Sequence, residues 1–563
     1  MRIIYAYVIA VILLALTFSL VSINVALGTY SSWVGYKSPL IDVLGGVEPV
    51  RVGGEPIAGH VVFILLDGLR VDTLMDLSGA GGELGKLVSM GAFYPSGLAN
   101  TPTYSIPGRA SILTGAPPEV NGVLSNDFKG VLGVDSIVRA ARDAGFKVIC
   151  VGDKSIEMMF SDLIDECSRV DEGGGHGAIS LAEGLRLFKK YSGAGHRVFL
   201  WVGVADIDMV GHLSGGSMSS EYNATVANIG RLALNFVESL SGEGALIVLL
   251  TDHGFKRVGH HGGPELEVRR VFTIFIGPGV KPGVYDVSYT HNDIAPTVAM
   301  IMGLRIPALS MGKVLVEGFD IPGDRVREYS VASREQASRV VAAIGEATGV
   351  RLSLDDPWSS YSAITSSLYG EGAGSRLALV SALAILVLAG LYASLRVHLL
   401  GPKRLIALTL AGLIVYEAAY WVAYSLARGP TSLSDVLSLG ELLDKVRISA
   451  VAAGVVLAVF LGFVELTPFR VGLSRILVPT VTASALAVIV GLALAAPFYV
   501  SYGHTVRFPP PDWSGGFMFF VYLVKASFTG LMGMPLAVII VAAFSLVGLY
   551  IYKLSRKAGE LGA

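Results

Sequence analysis

Several aspartates and histidines in this chain stand at short, repeated spacings that suit a cation. Asp208 and His212 are four residues apart, and Asp252 and His253 are adjacent. His260 and His261 follow a few residues later, and Asp67 closes an apolar run far upstream. An imidazole and a carboxylate this close can share one metal ion. Nitrogen and oxygen donors without cysteine suit Zn²⁺ or Mn²⁺ better than Ca²⁺ or a thiolate-bound metal.

A serine with the setting of a nucleophile lies between them. In the stretch TPTYSIPGRASILTG at 101–115, turn-forming residues run up to Ser105, and Pro107 opens a helix of small residues. Proline is tolerated there because its missing N–H would be unpaired anyway. The Ser105 hydroxyl is thereby placed beside a helix N-terminus, which favours an anion. Serine needs a base or a metal to attack at neutral pH. No Gly-x-Ser-x-Gly elbow is present, which argues against an ordinary hydrolase triad. Two cations about 3.5–4 Å apart would clamp the attacking and leaving oxygens of a displacement at phosphorus.

The elements that must carry these groups are legible as a texture. Short apolar runs at 61–66, 147–151, 199–204, 245–250 and 271–276 alternate with helical spacing at 135–144 and 221–240. This is the pattern of a parallel α/β sheet, whose ligands bind beyond the carboxyl ends of the strands. Asp67, Asp206 with Asp208, and Asp252 follow three of those runs. The sequence therefore predicts carboxylates gathered on one rim.

The rest of the chain reads as membrane. It has 563 residues, 52% hydrophobic and 16% charged, and a formal net charge of −2. That composition is too apolar for a purely soluble protein, and the charge favours no nucleic-acid partner. Residues 3–27 exceed the roughly 7–15 residues of a signal-peptide core. They read as an uncleaved anchor, with cleavage after Ala26 the alternative. Further spans are expected at 377–395, 405–427, 448–466, 476–500 and 531–552. Arg396, Lys403, Arg404, Arg470, Arg475, Lys553, Arg556 and Lys557 then fall on the side of Arg2, while Arg428, Lys445 and Arg447 oppose them. The positive-inside rule places the α/β domain outside the cell, with both termini cytoplasmic in the plasma membrane. The expected units are an anchor at 1–30, a linker at 31–59 and a catalytic domain at 60–320. An amphipathic helix and stalk at 321–375 and a bundle of about five helices at 376–563 complete them. Glu417, inside an apolar span, reads as an interhelix hydrogen-bonding group, and Lys525 as an interfacial edge. Cys150 and Cys167 read as two unrelated thiols, since spacing alone does not supply disulfide geometry.

These residues resemble the alkaline phosphatase superfamily, in its type I phosphodiesterase/nucleotide pyrophosphatase and GPI ethanolamine phosphate transferase branches. The first branch carries its nucleophile two residues before a proline. Tyr104-Ser105-Ile106-Pro107-Gly108-Arg109, running on to Thr114-Gly115, is similar and maps that role to Ser105. An asparagine that binds a phosphate oxygen stands 21 residues beyond the nucleophile, which gives Asn126. The resemblance implies that Asp67, Ser105, Asp252 and His253 bind one metal and Asp208, His212 and His261 the other. It implies two divalent cations, Zn²⁺ ahead of Mn²⁺. The implied fold is an alkaline-phosphatase-like α/β sandwich with a central, mostly parallel sheet, an N-terminal transmembrane anchor and a C-terminal transmembrane bundle. His291-Asn-Asp-Ile-Ala-Pro-Thr297 resembles a motif late in the transferase catalytic domain.

The resulting expectation is a two-metal phosphodiesterase or phosphotransferase working through phospho-Ser105. Its substrate is a small-molecule or, given the large bundle, a lipid-linked phosphodiester. Arg109 stands where those branches carry histidine and is a candidate charge stabiliser. Ser105-x-Pro107-x-Arg109 also partly matches the sulfatase signature, in which Cys or Ser becomes formylglycine. Gly68 stands where sulfatases have a second metal-binding aspartate. A sulfatase is the enzymatic alternative, and a membrane assembly protein with a retained catalytic fold is the other.

Overall fold

All five apolar runs are strands, joined among the described residues by four others. The strands are β1 (His60–Leu66), β2 (Ala92–Leu98), β3 (Lys147–Val151), β4 (Glu166–Ser168), β5 (Val198–Val204), β6 (Ala245–Leu250), β7 (Arg270–Ile276), β8 (Gly283–Val284) and β9 (Tyr289–Thr290). This computed structural model describes residues 2–79, 82–170, 175–350, 356–396, 402–466 and 473–561. One nine-stranded sheet runs β4-β3-β5-β1-β6-β7-β2-β8, with β9 beside β2. The pairs among β4, β3, β5, β1 and β6 are all parallel.

The continuous hydrophobicity of β1 follows from helices on both faces of the sheet. Val61, Phe63 and Leu65 enter one core, and Val62, Ile64 and Leu66 the other. The first core includes the helices Ser105–Thr114, Ile137–Asp143 and Ile294–Met302. The second includes His176–Gly193 and Ser220–Ser239.

Three expectations about this domain are corrected. The run at 271–276 is antiparallel to β6. Its connection, 251–269, holds only the short helix Leu266–Arg269 rather than a crossover, so the chain turns back from the same rim. Cys150 and Cys167 form a disulfide, because β3 and β4 place them directly opposite each other with Cα atoms 4.5 Å apart. The segments expected as linker and stalk contribute to the core. Leu40, Leu44 and Val50 are buried there, as are Tyr329, Val340 and Ile344 of the helix Gly323–Thr348 and Ile364 of Pro357–Tyr369.

Among the described residues, six segments are long and apolar enough to cross a membrane: Ile4–Val34, Pro357–Gly390, Ile406–Leu426, Leu439–Val464, Ile476–Tyr502 and Trp513–Tyr550. The first is no isolated anchor. Val8 and Ala15 pack with Leu477, Val478 and Val481, and the Ser19 hydroxyl donates to Ala526 O at 3.1 Å. The last combines the helix Trp513–Phe528, a π-turn Thr529–Gly533 and the helix Met534–Leu561. Lys525 is therefore inside a span, not at an edge. Its fully buried ammonium donates to Glu417 Oε2 at 2.5 Å, so Glu417 is the partner in an ion pair. Pairing offsets the desolvation that would otherwise exclude both charges. Of the cations used to orient the spans, Arg470 lies outside the described residues.

Candidate metal centre

The strand order builds the site. β5, β1 and β6 are neighbours and parallel, so their carboxyl ends emerge side by side, about 4.8 Å apart. Asp67 follows β1, and its N–H continues the ladder to Val204 O at 3.0 Å. Asp206 and Asp208 open the helix Asp206–Leu213 after β5. Asp252 and His253 follow β6, and the loop into β7 brings His260 and His261 back over the rim.

Two close approaches need glycine. Gly68 has φ +71°, and a Cβ there would sit 3.0 Å from Asp208 Oδ1 and 3.1 Å from its Cα. That fit draws Asp67 and Asp208 together and leaves no space for the aspartate a sulfatase carries at this position. Gly108 lets the serine helix lie on the end of β6, since its Cβ would be 3.2 Å from that of Asp252. The helix Ser105–Thr114 begins at Ser105 and follows extended Tyr104. Ser105 Oγ lies 3.2 Å from His253 Nε2. Asn126 Oδ1 accepts the Ile106 N–H at 3.0 Å, which fixes the asparagine beside the same helix N-terminus.

The ligand atoms form two compact groups that share one imidazole. Asp67, Asp252 and His253 make the first, and Asp208, His253 and His261 the second, each within 4.8 Å. His253 Nε2 lies 3.4 Å from Asp67 Oδ1, and His261 Nε2 lies 3.2 Å from Asp208 Oδ1. The stacked rings of His253 and His261 have centroids 3.6 Å apart. His212 adjoins the second group, its Nε2 3.4 Å from Asp208 Oδ2 and 3.0 Å from His261 Nε2.

Electrostatics show that this constellation wants cations. Asp67 Oδ1, Asp208 Oδ1 and Asp252 Oδ1 are buried without a hydrogen-bond donor. Such oxygens are costly unless a charge compensates them. Burial, then the neighbouring Asp252, pushes Asp67 well above the usual carboxylate range. Burial opposes the Asp208 anion too, but His261, His212 and His253 outweigh it and hold its carboxyl low. Burial lowers His253 and His212 to about 4. Both imidazoles are then neutral at pH 7, the form that binds a metal. Burial also works against protonated His261, but Asp208 more than compensates and raises it. The donor set is one that could hold metal ions.

Arg109, the candidate charge stabiliser, pairs with three carboxylates. Its guanidinium is buried behind the ligands, donating to Asp67, to Asp153 Oδ1 at 3.0 Å and to Asp252 Oδ2 at 3.3 Å. Asp153 was missed, although the same signal marks it: it follows β3, the neighbour of β5. It also accepts from Trp201 Nε1 at 2.9 Å and from Ser155. His291 lies beneath the site, its Nε2 3.2 Å from Thr251 O, and belongs to neither ligand group.

Known proteins resemble the region that holds this site. Residues 61–144 match the model of the type I phosphodiesterase / nucleotide pyrophosphatase family. Over 292 residues the chain is 27% identical to the human GPI ethanolamine phosphate transferase 2 catalytic subunit, covering 47% of this chain and 28% of that protein. It is 25% identical over 296 residues to GPI ethanolamine phosphate transferase 2 of Candida albicans, covering 48% and 32%. This chain is similar to those transferases over about half of its own length. The matched region spans less than a third of the length of either relative. A solved alkaline phosphatase superfamily protein from Vibrio parahaemolyticus is 16% identical, with a TM-score of 0.38 over 51% of this chain and 81% of its own.

Proposed function

We propose that this chain is a membrane-embedded, two-metal phosphotransferase that passes a substituted phosphoryl group through Ser105. The observation that carries this reading is the convergence of Ser105 Oγ, His253 and three donorless carboxylate oxygens at one rim. Asp67, Asp252 and His253 would hold one cation, and Asp208, His212 and His261 the other. Bound divalent cations supply charge neutralisation for the phosphoryl oxygens and stabilise an oxyanion nucleophile.

This chain's own residues order the displacement. Ser105 Oγ attacks phosphorus. The Oγ–P bond forms as the bond to the leaving alcohol breaks, and the serine proton ends on that alcohol. An acceptor hydroxyl then forms the new P–O bond as the Ser105 Oγ–P bond breaks, and its proton returns to Ser105 Oγ. The helix N-terminus at Ser105 and the Asn126 side chain favour the anionic group. Arg109 keeps the ligand carboxylates aligned.

A cavity of about 460 Å³ supports a lipid-linked substrate. It begins at Tyr104 and Asn126 and is walled by Trp33 of the first spanning helix, Leu433, Phe517 and Phe520. The relatives are named for ethanolamine phosphate transfer to GPI, and that chemistry suits this pocket. The Cys150–Cys167 disulfide supports an extracytoplasmic domain, and the charge bias of the loops supports cytoplasmic termini.

The test is turnover of a chromogenic phosphodiester by purified protein with Zn²⁺ or Mn²⁺. Ser105→Ala and Asp252→Ala are expected to abolish it, and intact-mass analysis to find a phosphorylated Ser105 peptide in the wild type. Unchanged turnover in both variants refutes the proposal, and formylglycine at Ser105 would replace it with the sulfatase reading.

A further inference from the structure

A loop of the membrane bundle grips the segment that carries two of the site imidazoles. It joins the helices Pro402–Leu426 and Leu439–Leu466. Its turn Leu433–Asp435 is rigidified by a capping box between Ser432 and Asp435. Tyr424 Oη donates to Pro430 O at 2.6 Å, tying the loop to its own helix.

Ser434, at the centre of that turn, is wholly buried. Its carbonyl accepts the His260 N–H at 2.7 Å. Its hydroxyl accepts the Gly263 N–H at 2.8 Å and donates to Glu265 Oε2 at 2.7 Å. One serine thus holds the chain on both sides of His261. Beside it, Lys256 Nζ donates to Asp435 Oδ1 at 2.6 Å, and the Lys256 N–H donates to His260 O at 2.9 Å. Gly263 permits this contact, since a Cβ there would lie 2.7 Å from Ser434 Oγ. The grip reaches the site directly: His260 Nδ1 lies 2.9 Å from His212 Nδ1, and His261 Nε2 is 3.2 Å from Asp208 Oδ1.

We infer that Ser434 is a positioning residue for the Asp208–His261 metal group, so that the membrane bundle completes the metal centre of the globular domain. This rests on the two-metal reading above. Partners outside the ligand sphere orient ligands, and their loss typically weakens metal binding about 10–100-fold. None of the ligand side chains is altered by changing Ser434.

The experiment is calorimetric titration of Zn²⁺ into chelator-treated, full-length protein in detergent, for the wild type and Ser434→Ala. Cobalt-substituted absorption spectra report the ligand geometry in parallel. The wild type is expected to bind two ions. Ser434→Ala is expected to bind one of them about 10–100-fold more weakly, with a changed cobalt spectrum, and the other within about twofold. A merely structural contact would lower the melting temperature yet leave both dissociation constants and the spectrum in place, and that result overturns the inference. Should Ser434→Ala fail to fold, Lys256→Met, at a partly exposed position, carries the same test. Its expected loss is about three- to tenfold at one site, at or below the lower end of that range, and unchanged binding overturns the inference. A wild type that binds no zinc overturns this inference together with the two-metal reading. A wild type that binds two ions beside an unaltered variant overturns this inference alone.

Discussion

Gly68→Ala probes the joint between Asp67 and Asp208 without touching a ligand. An alanine at φ +71° costs about 1–2 kcal/mol of backbone strain. Its Cβ would also meet Asp208 Oδ1 at 3.0 Å and the Asp208 Cα and Cβ at 3.1 Å, so Asp208 must retreat. Ordinary carbon contacts begin near 3.5 Å, which sets the retreat at a few tenths of an ångström. A misplacement of about 1 Å costs roughly 100-fold in rate, and proportionately this shift costs about tenfold. The strain itself lowers the melting temperature by only a few degrees, at roughly 2–4 °C per kcal/mol for a domain of this size. Gly145→Ala is the control, because its φ of +85° imposes strain while a Cβ there meets nothing within 4 Å. The assay is chromogenic phosphodiester turnover beside thermal unfolding of the same samples. Gly68→Ala is expected to lose about tenfold in kcat, and Gly145→Ala to lose stability alone. Equal activity in the two variants would refute the idea that this glycine sets the ligand spacing.

Other outcomes follow from the same charges. Arg109→Met strands the buried carboxylates of Asp67, Asp153 and Asp252. The metal-free protein is expected to lose about 3–5 kcal/mol, and Zn²⁺ at a thousandfold excess over Kd to return about 4 kcal/mol; an unchanged metal-free melting curve would contradict this. Lys525→Met alone should destabilise the detergent-solubilised protein by about 3 kcal/mol, whereas Lys525→Met with Glu417→Leu should recover most of it; equal melting temperatures for single and double variants would count against the buried pair. Burial lowers His291 to about 4, below the unfolded value near 6.5. The unfolded chain therefore takes up this proton first, and stability falls as pH drops from about 6.5 toward 4. His212 and His253 are lowered in the same way, so His291→Phe should reduce rather than abolish that slope in the metal-free protein, and an identical slope would rule His291 out as a contributor.

The site was legible where one local rule governs it. Strands buried on both faces are continuous apolar runs, so β1, β3, β5, β6 and β7 stand out, and the aspartates after them mark the rim. Asp153 obeys the rule but stands out less, because no histidine lies near it in sequence. β2 hid because Pro95 and Gly97 interrupt it, and its ladder to β7 shifts register between Tyr94 and Gly97. The core positions in 31–59 and 321–375 were obscured by polar, glycine-containing stretches whose apolar residues pack only in tertiary context. Lys525 misled because its partner Glu417 is 108 residues away. Ser434 gave no signal at all: an ordinary loop serine acquires its role only when the bundle meets the domain.

The proposed phosphoryl transfer requires two cations converging at Ser105. The most direct test is an anomalous-scattering map at the zinc edge from crystals of the full-length protein. Two peaks are expected, one between Asp67, Asp252 and His253 and one beside Asp208 and His261. A single peak, or none within reach of Ser105 Oγ, would contradict the proposal.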